Sequence, residues 1–112
     1  MLVQLAHLCQ KSIRDLDTLA RYGGEEFVIL MPHTDQEDGL VSTERVRATV
    51  AQTIFQAEGD HIRVTVSMGV ASYCDDRTPN IDALLQRADK ALYKAKHAGR
   101  NQTSVWDISL DN

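Results

Sequence analysis

Arg21-Tyr22-Gly23-Gly24-Glu25-Glu26-Phe27 lies between two β-prone runs, 18–22 and 27–31. A two-residue Gly-Gly link between such runs predicts a β-hairpin, because glycine reaches positive φ without a Cβ clash. Glycine also lets a ligand come close to the backbone. The two acids that follow point to opposite faces if both lie on the strand, so they need not share a role. A run as apolar as Phe27-Val28-Ile29-Leu30-Met31 rarely opens with two carboxylates unless at least one is exposed or meets a cation. Two readings stand side by side at this point: a solvated hairpin tip, and a tip built to meet a ligand.

Upstream of the hairpin, Leu2, Leu5, Cys9, Ile13 and Leu16 recur at steps of three and four, with Ala6 on the same face. That is an amphipathic helix. Downstream, Pro32 closes the second strand, since proline cannot continue a central ladder. Thr34-Asp35-Gln36-Glu37 fits a capping box with Thr34 as the cap. The helix it opens carries Leu40, Thr43, Val46, Val50 and Ile54 on one face and ends at Glu58-Gly59-Asp60. Residues 62–68 alternate apolar and polar, which predicts a half-buried strand continuing to about Tyr73. Residues 75–79 read as a surface loop. Asn80 caps a third helix with Ile81, Leu84, Leu85, Ala88, Leu92 and Ala95 inward, and Gly99 is its left-handed stop. Thr103-Ser104-Val105-Trp106 is a short edge strand, followed by a frayed tail, 107–112. Helices and strands in this order give an α+β layer, with helices flanking a mainly antiparallel sheet.

A chain of 112 residues, 43% hydrophobic and 25% charged, is one small soluble domain. Its longest apolar run is far short of the ~20 residues a membrane span needs. No signal-peptide pattern opens it, and direct membrane contact is not expected, although a membrane-anchored parent stays open. Cys9 and Cys74 form no C-x-x-C pair, and a reducing cytoplasm suits them; Cys9 falls on the apolar face of its helix. Histidines 7, 33, 61 and 97 lack metal-ligand spacing. A net charge of −4 argues against nucleic acid as a partner. Between 87 and 100, however, five Lys/Arg stand against the single acid Asp89, a local charge of +4. A polyphosphate would be drawn there; equally, cations gather at helix C-termini because that end is partially negative.

The motifs agree with one family. Residues 21–27 resemble the signature of the GGDEF family, the diguanylate cyclase domains, in its Glu-for-Asp form. Val66-Ser67-Met68-Gly69-Val70-Ala71 is similar to the family's S-x-G-V-A strand. Arg87-Ala88-Asp89-Lys90-Ala91-Leu92-Tyr93-Lys94-Ala95-Lys96-His97-Ala98-Gly99-Arg100-Asn101 resembles its A-D-x-A-L-Y-x-A-K-x-x-G-R-N helix. Order and spacing agree across nearly the whole chain. The resemblance implies a palm-like nucleotide cyclase sheet. It also implies the joining of two GTP molecules into cyclic di-GMP by a homodimer, with feedback inhibition by the product. Phosphoryl transfer of this kind is mostly positioning and charge neutralisation, usually with Mg²⁺ or Mn²⁺ held by carboxylates.

By the same resemblance Glu25 is the metal ligand, and Glu26 occupies a motif position whose role is less defined. Gly23 and Gly24 let the nucleotide approach, and Lys96 and Arg100 match the pair that contacts the terminal phosphates. Asp89 reads as a surface acid. Arg14-Asp15-Leu16-Asp17 contains R-x-x-D, with five residues between Asp17 and Gly23, similar to the family's inhibitory product site; Arg45 stands where some members add a second arginine. A guanidinium suits guanine and phosphate alike, while a lone R-x-x-D is also a common solvated helix end. Family members carry a strand and a helix ahead of the helix that opens this chain, which supply a metal-binding aspartate and two guanine readers. Residues 1–106 are therefore expected to be a partial GGDEF domain, inactive alone. The alternative is a non-catalytic GGDEF module that binds GTP or cyclic di-GMP; a purely structural role leaves the surviving phosphate residues without purpose.

Overall fold

The computed structural model describes residues 2–23, 26–73 and 80–107. The Leu2 side chain, Gly24, Glu25, Cys74, the expected loop 75–79 and tail positions 108–112 lie outside the described residues.

Helix α1 spans Leu2–Ser12 and is followed by a hairpin of β1 (Thr18–Gly23) and β2 (Glu26–Leu30). The pairing runs from Thr18↔Leu30 to Gly23↔Glu26, with a register shift between Arg21 and Gly23. The ladder thus reaches one residue closer to the tip on each strand than the Gly-Gly link predicts. The register shift leaves exposed Tyr22 at an irregularity, as bulges commonly do near a strand end.

Helix α2 is Gln36–Gln52. Its cap is Asp35, not Thr34: Asp35 Oδ1 accepts from the Asp38 N–H at 2.8 Å. A carboxylate there, with Glu37 and Asp38 in the first turn, also meets the positive end of the helix. The Thr34 hydroxyl is used elsewhere, donating to the Pro32 carbonyl (3.0 Å) and accepting from Arg14. The helix also stops earlier than its period suggests. Thr53 is already extended (φ −94°, ψ 139°), and β3 (Ile54–Ala57) pairs antiparallel with β4 (Asp60–Arg63). Glu58 and Gly59, both at positive φ (52° and 84°), form the two-residue turn between them, the geometry favoured in tight hairpins. The Gln4 side-chain amide donates to the Gln56 carbonyl (2.6 Å) and accepts from its N–H (3.3 Å), tying β3 to α1.

The expected strand from 62 to 73 is divided. Alternating exposure continues through Val64 and Val66, but ladder pairing resumes only in β5 (Met68–Val70). Helix α3, Ile81–His97, begins at the expected cap, Asn80, whose side chain accepts from the Ala83 N–H. It crosses back so that β6 (Thr103–Val105) runs parallel to β5, Met68↔Thr103 through Val70↔Val105. Two strands linked by a helix are free to pair in parallel, so the final strand is not part of an antiparallel sheet. The architecture is α+β, with three two-stranded ladders and three helices among the described residues.

Cys9, Ile13, Val46, Val50 and Phe55 form the buried core, flanked by Leu5, Leu8, Leu19, Ile29, Ile62, Val64, Val66 and Met68. Val46 and Val50 are fully enclosed, each contributing about 1.5–3 kcal/mol by burial. Leu16 does not join them: α1 ends at Ser12, the helical step is lost, and Leu16 is 73% exposed. Ile81, the first residue of α3, is likewise exposed. Between β5 and α3 the packing is closer than side chains permit. A Cβ on Gly69 would lie 2.2 Å from the Ala88 carbonyl oxygen, and Ala91 and Ala95 on the same helix are fully buried.

Candidate functional site

The hairpin tip is the first part of the site. Gly23 and Glu26 face each other across the last ladder position, and Glu26 is exposed. A Cβ at Gly23 would meet nothing within 4 Å among the described residues, so the space beside its Cα is open. Among the described residues no three His, Cys, Asp or Glu side chains come together as a metal site. The carboxylate expected to hold a divalent cation, Glu25, lies outside the described residues.

The second part is the end of α3. Lys96 is half-buried in the last helical turn, and Arg100 is exposed. They do not share a helix face, because the helix ends at His97. Gly99 (φ 123°), Arg100 (62°) and Asn101 (47°) then all turn left-handed. The Arg100 N–H closes the helix by donating to the Ala95 carbonyl at 3.0 Å, the bond expected of a glycine-terminated helix. His97 stacks on Tyr93 at 3.8 Å between ring centroids.

The third part lies beyond the C-terminus of α1. Arg14 Nε donates to Asp17 Oδ2 at 3.2 Å, and its Nη2 reaches Oδ1 at 3.4 Å. The Arg14 N–H also donates to the same carboxylate (3.1 Å), and the Asp17 N–H returns to the Arg14 carbonyl (2.9 Å). The Asp17 side chain is 1% exposed and that of Arg14 42%. A solvated helix end would not enclose its carboxylate, so this R-x-x-D is a built turn. Arg45 Nη2 donates to the Ser12 carbonyl at 3.0 Å, which places Arg45 beside the same turn. The structure thus gathers Arg14, Asp17 and Arg45 at one end of α1.

Three residues around these sites escape sequence reading. Thr34 holds Arg14 through its hydroxyl. Arg47 grips Glu44 along both edges of the carboxylate (2.9–3.2 Å) and donates to Asn101 Oδ1 at 2.9 Å. That guanidinium holds the Glu44 carboxyl below its ordinary value, and Glu44 in turn raises Arg47. Glu44 and Arg47 carry the i, i+3 spacing of a helix pair, but the link to Asn101 spans 54 residues of sequence and leaves no local signal.

Residues 1–102 match the family described as "Diguanylate cyclase, GGDEF domain". The chain belongs to the GGDEF family. Diguanylate cyclase A of Treponema denticola is 37% identical over 105 residues, covering 94% of this GGDEF chain and 28% of the relative. Among solved structures, the active GGEEF domain of a diguanylate cyclase from Vibrio cholerae matches with a TM-score of 0.79 at 34% identity, over 95% of this chain and 66% of that one. The GGDEF domain of DgcB from Caulobacter crescentus, solved in complex with c-di-GMP, matches with a TM-score of 0.79 at 26% identity, over 91% and 63%. The GGDEF chain spans less than a third of the length of the curated relatives it matches. No helix among its described residues is long and apolar enough to cross a membrane.

Proposed function

We propose that this chain belongs to the catalytic and regulatory part of a diguanylate cyclase that condenses two GTP into cyclic di-GMP in the cytoplasm as a homodimer. The observation that carries this reading is the hairpin. An open Gly23 faces Glu26 across the last ladder position of a Gly-Gly-Glu-Glu-Phe turn in a GGDEF chain. Gly23 and Gly24 admit the nucleotide to the backbone. Lys96, a point charge, and Arg100, a planar fork, take the terminal phosphates. Glu25 is the anionic ligand for Mg²⁺ or Mn²⁺, with Glu26 beside it; a bound cation supplies charge neutralisation at the phosphates. Arg14, Asp17 and Arg45 bind the product and inhibit. The pre-built Arg14–Asp17 turn supports this, since its guanidinium is already oriented and half open to solvent.

Residues 1–112 alone are proposed to be inactive, because a two-metal site needs several converging anionic ligands and this reading assigns only Glu25, with Glu26 beside it. The test is a chimera in which these residues replace the matching 105 residues of the Treponema cyclase. The chimera should make cyclic di-GMP, the isolated chain should not, and Glu25→Gln in the chimera should lower turnover at least about a hundredfold. Wild-type turnover in the Gln variant removes Glu25 from the metal site.

A further inference from the structure

The turn that follows α3 is unusual in its backbone. Left-handed φ is costly for residues with a Cβ and persists where the surroundings over-determine it. Here Arg100 and Asn101 adopt it in succession after Gly99. Several bonds hold them. The Arg100 N–H donates to the Ala95 carbonyl, the Gln102 amide donates to the Ala98 and Arg100 carbonyls (3.1 and 3.2 Å), and the Asn101 N–H donates to Ser67 Oγ at 3.2 Å. A cationic contact comes from another helix. Arg47 Nη1 donates to Asn101 Oδ1 (2.9 Å) and to the Asn101 carbonyl (3.5 Å), while its Nε and Nη2 are fixed on Glu44.

These contacts leave a contrast between two arginines. Arg47 is 21% exposed at its side chain and has both edges of its fork committed to protein. Arg100 is exposed, and its guanidinium makes no hydrogen bond among the described residues. The chain therefore spends a costly backbone conformation to present one unengaged guanidinium, and uses a second to hold that conformation. The geometry points to Arg47 as a positioning residue for polyphosphate binding: clamped by Glu44, it holds the turn 99–101 from α2 so that Arg100 meets the terminal phosphates of a nucleoside triphosphate. This rests on the proposed reading of Arg100 as a phosphate ligand. Lysine could not replace Arg47, since one ammonium cannot span a carboxylate and an amide in fork geometry.

The experiment is an amide-shift NMR titration of the ¹⁵N-labelled chain with GTP and Mg²⁺, for wild type, Arg100→Ala, Arg47→Lys and the double variant. Arg100→Ala should weaken binding about tenfold, and Arg47→Lys several-fold, with the melting temperature nearly unchanged. The double variant should be no weaker than Arg100→Ala alone, because Arg47 acts through Arg100. Asn101→Gly keeps the left-handed backbone accessible and removes the amide oxygen; it should match Arg47→Lys, and decides the matter if that variant does not fold. Wild-type affinity in Arg47→Lys and Asn101→Gly, or losses that multiply in the double variant, overturn the inference while leaving Arg100 as a ligand. No GTP binding by wild type, or full affinity in Arg100→Ala, overturns the phosphate reading itself and this inference with it.

Discussion

Replacing Gly69 with alanine tests how α3 is held on the rest of the fold. The new Cβ would sit 2.2 Å from the Ala88 carbonyl oxygen, 2.3 Å from the Leu92 nitrogen and 2.9 Å from its Cα. All three atoms are helix backbone, so no side chain can swing away to make room. Ordinary contact begins at 3.4 Å, so β5 and α3 must part by about 1 Å. That separation opens the seam where Ala91 and Ala95 are fully buried and strains the β5–β6 ladder. Overpacking costs about 1–3 kcal/mol, and rigid backbone on the far side puts this site at the upper end. A loss of about 3 kcal/mol lowers Tm by roughly 10–20 °C in a domain of this size. Thermal melts followed by far-UV circular dichroism would read it, with Gly23→Ala as the control because its Cβ meets open space. A Gly69→Ala chain melting within about 3 °C of wild type refutes the close-approach reasoning.

Three further outcomes follow from contacts described above. Arg45→Ala removes one exposed bond to the Ser12 carbonyl; in the chimera it should weaken inhibition by cyclic di-GMP several-fold while stability stays within about 0.5 kcal/mol, and unchanged inhibition excludes Arg45 from the product site. Because Arg47 depresses the Glu44 carboxyl, the pair's contribution is present above the ordinary glutamate range and fades as pH falls through the lowered folded value. Glu44→Gln should flatten that acid limb of stability, and an identical pH profile in the variant would dissolve the link. The Cys9 thiol is buried and its pKa is pushed up by burial, so in a Cys74→Ser background it should stay unreactive to a disulfide reagent at pH 8 until the chain is unfolded.

Much of this fold could be read from residue order. Glycine between β-prone runs located the hairpin, Asn80 and Gly99 bounded α3, and spacing brought out the buried face shared by Cys9, Ile13, Val46 and Val50. Where reading failed, two local signals competed. Ile54 continues the helical step from Val46 and Val50, yet Thr53-Ile54-Phe55 is β-prone, and pairing with β4, Ile54 opposite Arg63 and Phe55 opposite Ile62, decides for the strand. Thr34 fits a cap by sequence, but Arg14, twenty residues away, claims its hydroxyl and Asp35 takes over. The parallel pairing of β6 depends on where α3 lands, which no window of neighbouring residues contains. The site divides in the same way. Its charged residues belong to recognisable motifs, while the Arg47–Asn101 link exists only once α2 and the final turn are packed together.

The three ladders are each two strands wide, and among the described residues no backbone pairing joins one to another. A continuous sheet spreads cooperativity through its hydrogen bonds; here that duty falls to side chains converging on α2. Leu19 and Ile29 reach the cluster around Val46 and Val50 from the first ladder, Phe55 and Ile62 from the second, and Met68 from the third. Each ladder can therefore open to deuterium from its own edges without breaking the others. The slowest amides to exchange should be those around Val46 and Val50, and the strands should follow a spread of smaller opening energies. The molecule's last protected structure would then be a helix.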